Sequence, residues 1–453
     1  MQLNRQRLLY DTLRKYIRRQ SLTHLERLLA RTRVTDLAAV LSGFTEKDQH
    51  LVFERLPDAS HKADLIVHMQ PPFGKRVLDP LEPKLAAEIL GEMAADDAAD
   101  ILADLEDEQR EAVLAVLSVS EKKEFEGLMA YADDTAGGIM LPEFVALPAE
   151  TTAEEALIAL REKSDDVEMA NYIYVVNAEG QLAGVLSLRK LVTAPPHKRI
   201  RDVMERDVIS VSPDTDQEQV ARLVSDYGLL AVPVVDSENR LLGIVTIDDV
   251  IGVLEEEAEE DLLKMAGAGA AVTNHEGFLT HVKARFPWLL ASCAGGLLSA
   301  VVMGFFESTL AANHFFALFL PIILGMSGNV GTQSATVTVR GLALGQISAD
   351  RRYDPMRREI AVGLTLGLLY AVIVGLISAV MGDTPTDGLA IGFSMAFGMT
   401  AASALGTAIP LLMARFGVDP AVATGPFVTT SLDLLGVAIY FGVSIPMALA
   451  LTA

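Results

Sequence analysis

Residues 426–442 read PFVTTSLDLLGVAIYFG, a run suited to hydrocarbon except that it holds Asp433. A carboxylate at the middle of a membrane helix costs about 2.5–3.5 kcal/mol on insertion scales, so a helix that keeps one must give it something to face. Working outward, the run extends over 420–451, and four more apolar segments precede it at roughly 287–308, 314–339, 360–381 and 388–414. Each covers the ~20 residues that a bilayer crossing requires. The connections set the orientation. ESTLAANH and GDTPTDG carry no Lys or Arg, whereas RGLALGQISADRRYDPMRRE carries Arg340, Arg351, Arg352, Arg357 and Arg358, and the fourth connection holds Arg415. The positive-inside rule therefore predicts cytoplasmic N-terminal domains and a C-terminus, ALALTA, on the outside.

Composition agrees with two unlike halves. The 453 residues are 51% hydrophobic with a formal charge of -23. Residues 1–285 hold 31 of the 37 Lys and Arg and 52 of the 60 Asp and Glu, a net of -21 that leaves -2 for the apolar remainder. Acidity thus belongs to the soluble part, which disfavours a nucleic-acid partner and favours cations. Cys293, the single cysteine, excludes a disulfide within one chain. The start, MQLNRQRLLYDTLRKYIRRQ, lacks the apolar core of a signal peptide and reads as a charged amphipathic helix that stays in the cytosol.

Breakers interrupt the spans at particular depths: Pro321 with Gly325 and Gly328 in the second, Pro410 in the fourth, and Gly425-Pro426 early in the fifth. Freed backbone at membrane depth is tolerated where protein or a wet cavity satisfies it, so together these breaks favour a pore or binding site, although each alone is ordinary packing. The small residues of GMTAASALGTAIP are assigned to close helix approach. On a helical projection of GNVGTQSATVTVRG, Asn329, Thr332 or Gln333, Thr336 and Arg340 share one face; Gly425, Thr429 and Asp433 form a second stripe at i, i+4 and i+8. Two polar stripes in five spans suggest two helices lining one aqueous path. The bland reading of Asp433 is neutralisation of Arg340, but Arg340 lies near the cytoplasmic end of its span and Asp433 halfway along its own. One carboxylate among amide and hydroxyl oxygens, with no Cys or His cluster, excludes soft transition-metal coordination. A sparse oxygen ring reading a hydrated ion suits magnesium better than calcium, which takes six to eight direct oxygens. Residue chemistry alone stops at a hard cation, with a proton relay through Asp433 as the rival.

Between Ala136 and Glu257 the sequence repeats: YVVNAEGQLAGVLSLRKLV against PVVDSENRLLGIVTIDDVI. Each copy reads as strand, turn, strand and helix, with Gly184 and Gly243 at equivalent places and an amphipathic helix upstream, TAEEALIALREK or DQEQVARLVSDYG. This pattern resembles paired CBS domains, a regulatory module. In nucleotide-binding members a Gly, a Ser or Thr and an Asp at three-residue steps hold phosphate and ribose. The second copy has Gly243, Thr246 and Asp249, while the first has Gly184 and Ser187 but Lys190 in place of the Asp. The resemblance implies at most one adenine nucleotide site, with ATP its natural ligand.

Residues 1–135 read as short amphipathic helices punctuated by SGFTEKD, PDAS, QPPFGK and DPLEPK, too short to stand singly and expected to stack in a superhelical array. Within MAADDAADILADLEDEQ, Asp97 is expected to cap or open a helix, with Asp96, Asp100 and Asp104 near one solvated face. Further acidic surfaces are SPDTDQ with Asp226, and DDVIGVLEEEAEEDLLKM. Packing such faces together brings like charges into contact unless divalent counterions bridge them, which is a sensor design. The charged helix in LEEEAEEDLLKMAGAGAAVTNHEGF, followed by a flexible Gly/Ala stretch, joins sensor to membrane as the lever of a gate.

Taken together, the helical N-domain ending in DDTAGGIM, the two CBS copies, the connecting helix and the five spans with GNVGTQSAT and DPAVATGPFVTTSLDLLG resemble a bacterial MgtE-family magnesium transporter or channel. The resemblance implies a multidomain chain: an all-α superhelical N-domain (1–135), an α/β tandem CBS pair (136–200 and 201–253), a connecting or plug helix with linker (254–284) and a five-helix α transmembrane domain (285–453). It implies a homodimer in the cytoplasmic (inner) membrane, in contact with lipid and needing no nucleic acid or obligatory protein partner. Its pore lies between subunits and is lined by the second and fifth spans, with Asn329, Thr332, Gln333, Thr336, Gly425 and Thr429 along it and Asp433 as the selectivity carboxylate. Cytoplasmic Mg2+ then closes the pore at Asp97, Asp100, Asp214, Asp226, Asp249, Glu257, Glu260 and Asp261. Two departures stand out: Gly252 replaces an acid found in some relatives, and Gly425 a pore Asn. No Walker motif or catalytic dyad is present, so no enzyme is expected. The alternative function is a proton- or sodium-coupled divalent-cation (Mg2+/Co2+) transporter with nucleotide-responsive CBS regulation.

Overall fold

The structure is a computed structural model that describes residues 2–69, 73–162, 171–267, 278–307, 315–343, 345–347, 353–381 and 385–452. The Gly/Ala stretch after the connecting helix, the GDT of GDTPTDG, nearly all of ESTLAANH, the QPP of QPPFGK, and Arg351 and Arg352 lie outside the described residues. The chain divides into two units, Met1–Glu255 and Glu256–Ala453.

Among the described residues ten helices open the first unit, from Gln2–Arg18 to Val119–Leu128. Helices of eight to ten residues are marginal alone in water, so they are held by packing. Val34–Leu41 packs on Ala59–His68, which packs on Pro83–Leu90, which packs on Asp107–Leu114. This skip-one stacking is the expected superhelical array. Two of the predicted breaks supply caps, Thr45 accepting from the Asp48 amide and Asp58 from the His61 amide; outside them, Ser118 with Glu121 closes a capping box. Two glutamines repeat one device. Buried Gln49 donates to the Leu41 and Phe44 carbonyls, and Gln109 to those of Leu78 and Leu81, satisfying backbone oxygens where a preceding helix ends.

The acidic helix departs from expectation. It runs Ala95–Asp104 with Ala94 at its N-cap, so Asp97 lies within the first turn and is not the cap. Asp96 is not on a solvated face either, being only 7% exposed.

The repeat copies are strand–strand–helix as expected. In the first, β1 (Ala146–Pro148) runs parallel to β2 (Tyr172–Val176), which pairs antiparallel with β3 (Leu182–Ser187). In the second, β4 (Ala231–Val235) pairs antiparallel with β5 (Leu241–Thr246). Gly184 lies opposite Val175 and Gly243 opposite Val234, each beside an irregularity in register. Both glycines are required by close backbone: a Cβ at Gly184 would come within 2.7 Å of the Glu205 carbonyl oxygen, and one at Gly243 within 2.8 Å of that of Leu141. Those neighbours reveal an exchange. Leu141, at the start of the first copy, bridges Ile244 of the second, while Glu205, at the start of the second, bridges Val185 of the first. The copies therefore interlock and do not follow one another as separate beads.

Among its described residues the second unit contains five long helices: Phe278–Gly304, Phe315–Ala343, Tyr353–Met381, Pro385–Arg415 and Pro426–Thr452, the last preceded by the short helix Pro420–Thr424. All five are long and apolar enough to cross a membrane. The first begins nine residues before the expected 287, because Pro287 sits inside the helix and does not start it. The fourth span is the hub, packing on the second, third and fifth. Its small residues do what close approach demands: Gly406 lies against the Gly331 backbone, and Ser403 links Ser334 (2.8 Å) to the Glu359 carbonyl (2.6 Å). A Cβ at Gly406 would overlap the Gly331 carbonyl, a backbone atom that cannot rotate away, whereas one at Gly296 would meet open space. Gly406→Val is therefore expected to cost about 1–3 kcal/mol or more and to lower the thermal midpoint of the detergent-purified protein by several degrees, with Gly296→Val leaving it near wild type.

Candidate functional site

Pro426 opens the fifth span at a position where its missing N–H costs nothing, directly after Gly425, whose ψ of -128° breaks the helix from Pro420–Thr424. Beyond it the helix separates two faces. Val428 and Leu432 are buried with Ala335 of the second span and Ala402 of the fourth, and Leu432 fills the notch at Gly331. One position further along the chain, Thr429 and Asp433 are exposed on the surface of the single chain. On the second span Val330, Ser334, Ala335 and Thr338 are buried, while Asn329, Gln333 and Thr336 are exposed and Thr332 is half-buried. Apart from Gly425, both expected stripes thus lie on uncovered faces of helices that pack against one another. Among the described residues Asp433 has no ion-pair partner, and Arg340 does not reach it.

Thr336 donates to the Thr332 carbonyl and Thr429 to that of Gly425, so each hydroxyl is anchored on the backbone of its own helix. Gly425 is buried, and its surroundings bear on the missing Asn: a Cβ there would lie 3.4 Å from the Lys264 carbonyl oxygen and 3.6 Å from Gly267.

The second candidate site is acidic and belongs to the soluble unit. Asp249 is half-buried, two positions into the helix that follows β5, and Thr246 Oγ1 stands 2.5 Å from Asp248 Oδ1 and within hydrogen-bond reach of Asp249 Oδ2. Burial raises the Asp249 carboxyl above the usual range, partly offset by the Thr246 hydroxyl and reinforced by the Asp248 charge. Asp96 is affected further. Burial first, then the charges of Asp97 and Asp249, push it up to about 8, and its Oδ1 has no hydrogen-bond partner among the described residues. An orphaned buried carboxylate oxygen facing a second carboxylate, with oxygen donors only, fits a hard divalent cation. Sequence reading missed Asp96 because either member of an Asp-Asp doublet in a first helical turn serves the helix dipole equally. The signal available was its i, i+4 relation to Asp100.

Of the remaining regulatory candidates, Asp97 is half-buried, and Asp100, Asp214 and Asp226 are exposed. Along the connecting helix (Ile247–Met265), Glu257, Glu260 and Asp261 are half-buried, and Glu260 already has a cation: Lys264 Nζ at 2.8 Å. Among the described residues no three His, Cys, Asp or Glu side chains converge as a ready-made metal cage. Gly243 and Thr246 are buried beside Asp249, so the nucleotide triplet does share one β5–helix corner, whereas Lys190 of the first copy pairs with Glu205 at 3.3 Å.

Comparison with known proteins covers most of the chain. The MgtE intracellular N domain matches residues 32–134, the CBS domain 136–197 and 200–256, and the MgtE divalent cation transporter domain 320–443. Magnesium transporter MgtE of Bacillus subtilis is 33% identical over 92% of this chain and 95% of its own length. That of Thermus thermophilus is 39% identical over 71% of this chain and 72% of its own. Two solved structures are similar to the soluble portion. One is the soluble part of a magnesium transporter, with TM-score 0.50 and 34% identity over 56% of this chain and 99% of that one. The other is the cytosolic domain of the Mg2+ channel MgtE in complex with ATP, with TM-score 0.51 and 38% identity over 54% and 99%.

Proposed function

The chain belongs to the MgtE family of magnesium transporters, which are not enzymes, and from that premise we propose that it is a homodimeric, Mg2+-selective channel of the bacterial inner membrane. Hydrated Mg2+ passes inward down its electrochemical gradient, and cytoplasmic Mg2+ bound at acidic domain interfaces closes the path. The N-terminal domains are cytoplasmic and the C-terminus is outside. One observation carries this reading: Asp433 is exposed on a membrane-crossing helix, in company with Thr429 and the Asn329, Gln333 and Thr336 edge of the helix it packs on. Left against lipid, that carboxylate would cost about 2.5–3.5 kcal/mol. A second copy presenting the same face turns the cost into a function, because two carboxylates then meet across water.

Chemistry selects the ion. Mg2+ gives up its waters reluctantly, so a wide ring of one carboxylate per subunit with amide and hydroxyl oxygens reads the hydrated ion by charge and hydrogen bonding. Thr332 extends the ring, while buried Gly425 acts through its carbonyl, which holds the Thr429 hydroxyl. On the cytoplasmic side Asp97, Asp100, Asp214, Asp226, Asp249, Glu257, Glu260 and Asp261 supply regulatory sites, with Asp96 added to them. Cation binding draws the acidic faces together, and its loss lets them repel. ATP at the Gly243, Thr246 and Asp249 corner modulates this response, a reading supported by the ATP complex of the related cytosolic domain.

Flux through liposomes holding the purified full-length protein tests the conduction mechanism. Current should reverse at the Mg2+ equilibrium potential and ignore imposed pH and Na+ gradients. A reversal potential that follows either gradient would replace the channel with a coupled transporter.

A further inference from the structure

The last turn of the connecting helix contains a cation of its own, placed where it touches two separate elements of the second unit. Lys264 Nζ lies 2.8 Å from Glu260 Oε1, one turn back on the same helix, and 2.8 Å from Asp419 Oδ2, 155 residues further along the chain. Its side chain is only 21% exposed. Asp419 is itself held: its other oxygen accepts the Ala421 amide at 2.8 Å, capping the short helix Pro420–Thr424. That helix runs into buried Gly425, whose Cα would direct a side chain to within 3.4 Å of the Lys264 carbonyl, and then into the span that carries Asp433.

We propose that Lys264 is a positioning residue, a latch whose ammonium group fastens the end of the connecting helix to the capped entry of the fifth span and so holds the path closed without a divalent ion at that contact. This rests on the channel reading above. An exposed ion pair contributes little, about 0–1 kcal/mol; this one is half-buried, three-membered and has one carboxylate already oriented by a cap. Glu260 then serves the latch first and regulatory Mg2+ second. The geometry at Gly425 adds proximity: a Cβ there would stand in van der Waals contact with the Lys264 carbonyl and Gly267.

Single-channel recording of the full-length protein across a cytoplasmic Mg2+ series tests the latch with Lys264→Gln, Lys264→Arg and Asp419→Asn, the last keeping a capping side chain. Lys264→Gln and Asp419→Asn should each raise open probability in nominally Mg2+-free solution by roughly fivefold. Each should also increase the Mg2+ needed for half-closure while unit conductance stays unchanged. The double variant should do no more than either single one, since both remove the same bond, and Lys264→Arg should restore much of the wild-type behaviour. Wild-type gating in Lys264→Gln, or additive effects in the double variant, would overturn the latch. A second readout does not depend on conduction: hydrogen exchange at amides 256–266 should quicken several-fold in Lys264→Gln, and unchanged exchange counts against the proposal. Absence of Mg2+ current in the wild type would instead remove the channel reading and leave exchange to decide the latch.

Discussion

Replacing Asp433 with asparagine is expected to reduce Mg2+ flux roughly a hundredfold. Asparagine keeps the shape and an acceptor oxygen but removes the charge. At about 6 Å, a distance that leaves room for a water shell, a divalent ion and one carboxylate attract by roughly 1.4 kcal/mol in a water-like dielectric, and two subunits double that to about 3 kcal/mol. Such a loss corresponds to about two orders of magnitude in occupancy. Asp433→Glu keeps the charge on a longer arm and should retain part of the flux. Because Asp433 lies on the exposed face and the buried neighbour Leu432 makes the packing contact with the second span, neither change should alter elution or thermal midpoint. Full flux in Asp433→Asn with the protein correctly assembled would remove this residue from the path.

Asp96→Asn is expected to stabilise the soluble unit in divalent-free buffer, by up to several kcal/mol at pH 8 and above. The direction follows from its titration. The ordinary Asp value is 3.8, and in the folded chain the group is pushed up to about 8. Between those values the folded chain holds a proton that the unfolded chain has released. Wild-type stability therefore falls as pH rises through that window, the penalty is complete above it, and it vanishes below pH 4. Asparagine carries no such dependence, so the two proteins should converge near pH 4–5 and separate above pH 7. Added Mg2+ should close the gap by stabilising the wild type alone. Thermal melts of the full-length protein from pH 5 to 9, with and without Mg2+, provide the comparison. A destabilised, still Mg2+-responsive variant at pH 8 would show that Asp96 faces neither an uncompensated charge nor the cation.

The repeat was legible because each copy is a local strand–turn–strand pattern, and residues 59 apart in YVVNAEGQLAGVLSLRKLV and PVVDSENRLLGIVTIDDVI fall in the same elements. Gly184 and Gly243 were visible as equivalents, but what crowds them was not, since Glu205 and Leu141 come from outside their own copies. The polar stripes at Asn329, Gln333, Thr336, Thr429 and Asp433 were legible for a similar reason: helical periodicity assigns faces without reference to partners. Asp97, expected to cap or open its helix, lies in the first turn without capping it, because an acid near a helix start satisfies the dipole from any first-turn position.

Taken by itself, the amino-acid order determined five apolar spans, the Arg-rich connections between them and a carboxylate within one span, because hydropathy and loop charge are sums over neighbours in the chain. Only the tertiary structure decided which carboxylates are buried and which are already paired. Desolvation of Asp96, the exchanged bridges between the CBS copies and the bond from Lys264 to Asp419 each depend on groups brought together from distant positions, and such proximity has no trace in local periodicity.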